Sequence, residues 1–260
     1  MAENRNGGKI ARLAEMIKTA HKIVVFSGAG ISTESGIPDF RSPGGIWSRF
    51  APSDFTIDKY LSDAQSRDRQ WRFLLNNPEI RAASPNDAHL AVARLEGMGK
   101  VLAVITQNID GLHQRAGSTP DKVYELHGNL DKIVCLDCSK YFPTDELAAR
   151  WANSPSLPAC EACGGLLKPA VVLFGEALPA EILSAATYLV READLLLVIG
   201  SSLVVYPAAF LPSYAHSAGA RVAIVNLGKT SFDEEADLLI NDYAGRVMRE
   251  AIDLLENYYY

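Results

Sequence analysis

The feature that most constrains this chain is the run Ile23-Val24-Val25-Phe26, followed at once by Ser27-Gly28-Ala29-Gly30. Continuous β-branched and aromatic residues suit a short strand buried on both faces, as in a parallel sheet covered by helices. Gly28 and Gly30 permit a sharp turn and close approach of the backbone to a ligand. Ser27 and Ser32 place hydroxyls beside amides able to receive phosphate. The stretch reads as a nucleotide-binding turn. It departs from the usual Rossmann fingerprint: Thr33 stands where a third glycine belongs, and no acid lies near the offset of ~20 residues that serves a ribose. Taken alone, the glycine pair fits an ordinary strand-to-helix turn equally well.

The next residues are more specific. Ile37-Pro38-Asp39-Phe40-Arg41 combines a rigid turn, a carboxylate, an aromatic ring and a guanidinium in one loop, suited to covering a charged ligand that contains a ring. With this loop included, the run Gly28 to Arg41 resembles the signature of the sirtuins, NAD-dependent protein deacylases.

At 260 residues and 48% apolar, the chain has material for one large domain carrying a smaller insertion. No apolar run approaches the roughly 20 residues of a membrane span, and Met1 to Gly8 is polar where a signal peptide would be apolar, so the expected compartment is the cytoplasm. The net charge of −6, without a Lys/Arg cluster, argues against nucleic acid and suits basic peptides.

Ile10, Leu13, Ala14 and Ile17 share a helical face, predicting an amphipathic helix near residues 9–20. Residues 42–85, beginning Ser42-Pro43-Gly44-Gly45-Ile46-Trp47, are too long for a bare loop and are expected to form a helical insertion. Its first part suits a mobile cover closed by Trp47 and Phe50, or a plain surface insertion anchored by aromatics. Asn86 is a candidate cap for a helix with Ala88, Ala91, Val92, Leu95 and Met98 on one face and Gly99 at its end.

The β-rich run Val101 to Thr106 then delivers Gln107, Asn108, Ile109 and Asp110 to the carboxyl end of a strand, where open α/β sheets bind ligands. Thr106 to Asp110 with Leu112-His113 and Ala116-Gly117 resembles a second sirtuin signature. Val123-Tyr124-Glu125-Leu126 is a further strand ending at His127-Gly128-Asn129. Glu125 to Gly128 resembles a third sirtuin motif, which gives His127 the role of general base.

Cys135-x2-Cys138 and Cys160-x2-Cys163 are separated by 21 residues, a spacing compatible with a zinc ribbon. Four thiolate ligands leave no open coordination position, so the zinc is expected to be structural. The module spans about 130–169.

Beyond it, Ala170-Val171-Val172-Leu173 is expected as another strand, leading to Phe174-Gly175-Glu176. Val172, Leu173, Phe174 and Gly175 resemble the sirtuin loop that binds substrate peptide by β-augmentation, with Val204 also expected at the peptide. A helix bearing Ile182, Leu183, Ala186, Leu189 and Val190 precedes the strand Leu195 to Ile199, which ends at Gly200-Ser201-Ser202. Position 201 is commonly Thr in the family, and Ser201 keeps the hydroxyl. Arg221 to Val225 delivers Asn226-Leu227-Gly228, and a last strand near 238–240 leads to a helix starting near Ala244.

The expected architecture is a Rossmann-like doubly wound parallel sheet (9–41, 86–129, 170–257) with the insertion 42–85 and the zinc-binding domain 130–169. The resemblance implies an NAD-dependent protein-lysine deacetylase, which moves acetyl from lysine to ADP-ribose and releases nicotinamide. It assigns Asn108 and Asp110 to the nicotinamide carboxamide, Gln107 to ribose orientation, and His127 to deprotonation of a ribose hydroxyl. Gly28, Ala29, Gly30, Ser32, Asp39, Phe40, Arg41, Trp47, Ile109, Gly200, Ser201, Ser202, Asn226, Leu227, Gly228 and Ala244 complete the expected cofactor contacts. Two alternatives share such a site: an NAD-dependent mono-ADP-ribosyltransferase and a non-catalytic NAD-sensing module. Sirtuins that prefer succinyl or malonyl lysine carry a Tyr-x-x-Arg pair in the insertion. This chain has Arg69-Gln70-Trp71-Arg72 there, without the tyrosine, and Tyr60 is too far upstream, so acetyl-lysine is the expected substrate.

Overall fold

The structure, a computed structural model, describes residues 6–75, 77–151 and 157–259; most of the polar start, Met1 to Arg5, and the terminal Tyr260 lie outside the described residues. In chain order the regular elements are α1 (Gly7–Thr19), β1 (Ile23–Ser27), α2 (Ile57–Ser62), α3 (Ala64–Leu75), α4 (Pro78–Ala82), α5 (Asp87–Gly97), β2 (Val101–Thr106), α6 (Leu112–Arg115), β3 (Val123–Glu125), β4 (Gly128–Cys135), β5 (Tyr141–Pro143) and α7 (Thr144–Trp151). They continue with β6 (Leu167–Val171), α8 (Ala180–Glu192), β7 (Leu195–Ile199), α9 (Leu211–Ser217), β8 (Arg221–Val225), β9 (Leu238–Ile240) and α10 (Ala244–Tyr259).

Six strands form a parallel sheet in the order β3-β2-β1-β7-β8-β9. Strand alternation sends successive side chains to opposite faces. Ile23 and Val25 join a core with α1, α5 and α10, whereas Val24 and Phe26 join a second core with α8 and α9. Both faces are covered, which is why β1 reads as an unbroken apolar run. The chain order reverses at β1 and β7, so their carboxyl ends border the crevice where doubly wound sheets bind ligands.

Asn86 caps α5, its side chain accepting from the Ala88 amide. Met98 departs from the expected buried face: it is the residue that ends the helix and is exposed, because the chain already turns toward Gly99, whose φ is +74°.

The run 170–173 also departs from expectation. Ala170 and Val171 end β6, which pairs antiparallel with β4, so they belong to the three-stranded sheet β5-β4-β6 instead of the parallel sheet. That sheet begins at Gly128, directly after His127, and closes with Gly128 opposite Val171. Gly128 has φ +72°, and a Cβ there would run into the Ala170 carbonyl, so the neck of the module requires glycine.

The insertion and the cysteine module share one core. Tyr60, Trp71, Leu74 and Leu75 pack with Ile133, Leu147, Trp151 and Leu167. The polar atoms of the core's two largest fully buried residues are paired: Trp71 Nε1 donates to the Tyr60 hydroxyl at 2.6 Å, and that hydroxyl donates to the Leu167 carbonyl. Among the described residues no helix is long and apolar enough to cross a membrane.

Candidate active site

Five polar turns converge at the carboxyl edge of the parallel sheet, following β1, β2, β3, β7 and β8. At the switch point the turns after β1 and β7 touch backbone to backbone. Gly28 donates to the Ile199 carbonyl at 3.1 Å and Gly30 to the Gly200 carbonyl at 2.8 Å, and a Cβ on Gly30 would lie 2.8 Å from Gly200. Both glycine amides are thus occupied inside the protein. Ser27 is fully buried, donating to Thr106 Oγ1 at 2.9 Å and meeting His113 Nε2 at 2.8 Å. The glycines serve close packing of two strand ends, and Gly28 lines neither cavity described below.

Ser32 and the turn after β2 form one network. Asn108 Nδ2 donates to the Gly28 carbonyl at 3.2 Å and to Ser32 Oγ at 3.1 Å, which leaves its Oδ1 as the available acceptor. Ser32 Oγ donates to Asp110 Oδ2 at 2.7 Å, while Asp110 Oδ1 accepts from the Leu112 amide at 3.0 Å. Burial pushes the Asp110 carboxyl above its usual range, against the lowering effect of these hydrogen bonds. Gln107 Oε1 accepts from Ser201 Oγ at 2.9 Å, tying the β2 and β7 turns together.

His127 follows β3. Its Nδ1 lies 2.8 Å from the Gln107 carbonyl, and burial lowers its pKa below the ordinary imidazole value.

Two cavities meet around these groups. A polar one of about 380 Å³ is lined by Gly30, Asp39, Gly200, Ser201 and Ser202, and by Asn226, Leu227, Gly228 and Ala244 on the far side. An apolar one of about 260 Å³ is lined by Ser32, Trp47, Ile109, Asp110 and the loop Val172, Leu173, Phe174 and Gly175. Ala29, Phe40, Arg41, Gln107, Asn108 and His127 line both.

The sequence expectations therefore divide. Trp47, grouped with the cofactor contacts, lines only the apolar cavity, where its ring lies 5.1 Å from Phe40 and 6.0 Å from Phe174. Val204, expected at the peptide, lines only the polar cavity, whereas its neighbour Val205 lines both. Asp39 organises its loop, its Oδ1 accepting from the amides of Arg41 at 2.8 Å and Ser42 at 2.7 Å. Sequence reasoning missed Lys229 and Tyr243 in the polar cavity and Phe55, Phe73 and Tyr206 in the apolar one. Lys229 directly follows Asn226-Leu227-Gly228 and could have been found as the first cation there; Phe55 and Phe73 carry no local signal.

The loop after β6 is held firmly. Val172 donates to the His127 carbonyl, Phe174 donates to Phe55 and accepts from Ile57, and Leu173 donates to Glu176 Oε2 at 2.7 Å. The buried Lys168 ammonium donates to the same Glu176 oxygen at 2.9 Å and to the Val171 carbonyl. The Val172 carbonyl and Gly175 amide have no intramolecular partner among the described residues.

In the cysteine module all four sulfurs lie within 4.8 Å of one another, with Cys135 and Cys163 at 3.5 Å and Cys138 and Cys160 at 3.7 Å. A tetrahedron of thiolates about 2.3 Å from zinc has sulfurs about 3.8 Å apart, so the residues fit the ion.

The model of the Sir2 family matches residues 28–207, which includes the turns after β1, β2, β3 and β7 and all four cysteines. The chain belongs to the Sir2 family. Relatives agree along almost the whole length: the NAD-dependent protein deacetylase of Thermodesulfovibrio yellowstonii is 42% identical over 250 residues, covering 96% of both chains. NAD-dependent protein deacetylase 1 of Bradyrhizobium diazoefficiens is 45% identical over 240 residues, covering 92% of this chain and 93% of its own. A solved Sir2 structure with a p53 peptide and NAD+ superposes with a TM-score of 0.84 at 39% identity, covering 96% of this chain and 99% of that one. A second, from work on the mechanism and regulation of Sir2 enzymes, gives 0.87 at 43%, with the same coverage.

Proposed function

We propose that this Sir2-family chain is an NAD-dependent protein-lysine deacetylase in which His127 is the general base. The observation that carries the assignment of His127 is its place on the wall between a polar and an apolar cavity, with one imidazole nitrogen tied to the backbone and the other available. NAD, when bound, supplies the ADP-ribose that accepts the acetyl group, with nicotinamide as the leaving group.

The residues suit that division. The polar cavity, rich in glycine and serine backbone, fits the ribose and phosphates. Asn108 Oδ1 and the Asp110 carboxylate are acceptors suited to a carboxamide NH2; Asn108 is held by its Nδ2 donating to Gly28 and Ser32, and Asp110 by accepting from Ser32, so they need no rearrangement on binding. Gln107, fixed by Ser201, orients the ribose. Phe40 covers the junction and keeps water from the reacting carbon. His127 Nε2 would take the proton of a ribose hydroxyl as that oxygen bonds to the acyl carbon, and the lysine nitrogen would leave the same carbon as the free amine. The lysine substrate enters past Val172 to Gly175.

Protein or peptide lysine is the substrate class, and the net charge of −6 favours basic surroundings for it. Free cysteines gathered for a metal suit a reducing compartment, so the cytoplasm is proposed. Incubation with an acetyl-lysine peptide and NAD tests the function: the expected result is deacetylated peptide with one nicotinamide released per acetyl group transferred. ADP-ribose attached to the peptide, or no nicotinamide release with any acyl peptide, would overturn it.

A further inference from the structure

At the mouth of the apolar cavity stands a row of aromatic rings that the proposed chemistry does not use. Tyr206 lines that cavity and is 58% exposed; Phe210, 45% exposed, lies 4.5 Å from it between ring centroids. Tyr214 continues the row, stacked 6.2 Å from Phe210. The spacing of four residues through the turn Ala208–Phe210 and α9 aligns the rings along one surface. Large exposed apolar groups in a row, contiguous with a pocket, mark a contact surface.

We propose that Tyr206 and Phe210 form a subsite for an aliphatic or aromatic side chain of the substrate, a few residues from the acylated lysine. The proposal rests on the deacetylase reading. A chain that lowers its lysine into the apolar cavity passes over the mouth where Tyr206 stands, so its flanking side chains reach the row. The far end favours an apolar occupant over a basic one: the Arg191 guanidinium lies 5.2 Å over the Tyr214 ring and would repel a lysine or arginine approaching along the row.

The test is a panel of acetyl-lysine peptides in which each of the three residues on either side is Ala, Leu, Phe, Lys or Glu in turn. At one flanking position Leu or Phe is expected to lower the peptide KM by about 5- to 10-fold relative to Ala. Phe210→Ala should remove that gain while leaving the melting temperature, the KM for NAD and turnover of the Ala peptide unchanged. Phe210→Leu should keep most of it. Equal KM values across the panel, a gain that survives Phe210→Ala, or a preference for Lys at that position would overturn the subsite while leaving the deacetylase reading intact. A dimer that Phe210→Glu dissociates without changing any peptide KM would overturn it too. Failure to deacetylate any peptide would overturn both.

Discussion

His127 donates its Nδ1 proton to the carbonyl oxygen of Gln107 across 2.8 Å. A carbonyl only accepts, so the bond fixes the tautomer and leaves the Nε2 lone pair for the reaction. It also joins the turns after β2 and β3, so the base and the residues proposed to hold nicotinamide are positioned by one peptide unit.

Replacement of that imidazole should abolish turnover without unfolding the chain. His127→Ala is expected to lower kcat for deacetylation by roughly 100- to 10,000-fold, with NAD binding retained. Because burial lowers the pKa of His127, the base stays deprotonated to below the usual imidazole value. The acid limb of kcat/KM should therefore fall below about pH 6.5. Near-wild-type turnover in the variant would remove His127 from the mechanism.

Zinc removal should act through structure. The four-cysteine module shares its core with Tyr60, Trp71 and Leu74, so Cys135→Ala or a strong chelator should lower the melting temperature and, with it, activity. Metal analysis should find about one zinc per chain. Full activity with unchanged melting in metal-free protein would contradict this.

Two histidines behind the site should make the fold acid-labile. The rings of His89 and His113 meet edge to face at 5.1 Å, and burial lowers their pKa values to about 4 and about 3. Between the unfolded value near 6.5 and these folded values, the unfolded chain binds protons that the folded one does not, so stability falls as pH falls through this window. Each histidine contributes about 1.4 kcal/mol per pH unit. Asp110 and Glu125, whose pKa values burial raises, act with opposite sign and offset part of the slope. Urea midpoints from pH 7 to pH 5 should show the fall, and His113→Gln should roughly halve it.

Acetyl-lysine should be preferred over succinyl-lysine. Tyr60 is fully buried with its hydroxyl engaged, Arg72 is paired with Asp68 at 2.7 Å, and Arg69 lies 4.0 Å from Asp63. Neither arginine lines the apolar cavity; Arg41 does, and is shared with the polar one. Burying a carboxylate there with incomplete partners costs more than the roughly 1–3 kcal/mol of an unsatisfied uncharged group, so kcat/KM should be at least several-fold higher for acetyl in a matched peptide. A succinyl preference would show that another donor completes the pocket.

The Lys168–Glu176 pair should be felt in substrate affinity. Lys168→Met leaves Glu176 bonded to the Leu173 amide but without its ammonium, which loosens the loop 171–176. The side chain of Glu176 is 23% exposed, so the loss should fall below the roughly 3–5 kcal/mol seen when a fully buried pair is broken. The KM for peptide should rise several-fold with the KM for NAD unchanged, and Lys168→Arg should recover most of the difference.

The central strands of the parallel sheet were legible because burial on both faces writes itself as an unbroken apolar run, and Asn86 was legible as a cap. Whether a turn amide is free was not, because the partners of Gly28 and Gly30 lie at and just beyond the end of β7, more than 150 residues away in sequence. Ala170 and Val171 were misassigned for a related reason: four apolar residues suit a parallel strand or an antiparallel one, and only pairing with β4 decides. The cysteines were the easiest part, since two pairs with two-residue spacings suit one tetrahedral ion. Phe55 and Phe73 were the hardest. Their neighbours are Phe50, Trp47 and each other across an insertion with little periodicity.

The neck at Gly128 and Val171 bears on how such a chain can be recombined with its relatives. The two residues face each other across one pair of strands, which makes them natural cut points for exchanging the metal-binding module as a cassette. The Trp71 and Tyr60 side chains, however, seat against that module from outside the cut. A transplanted module would arrive with a surface shaped for another insertion, so a working chimera has to carry residues 57–75 from the same parent.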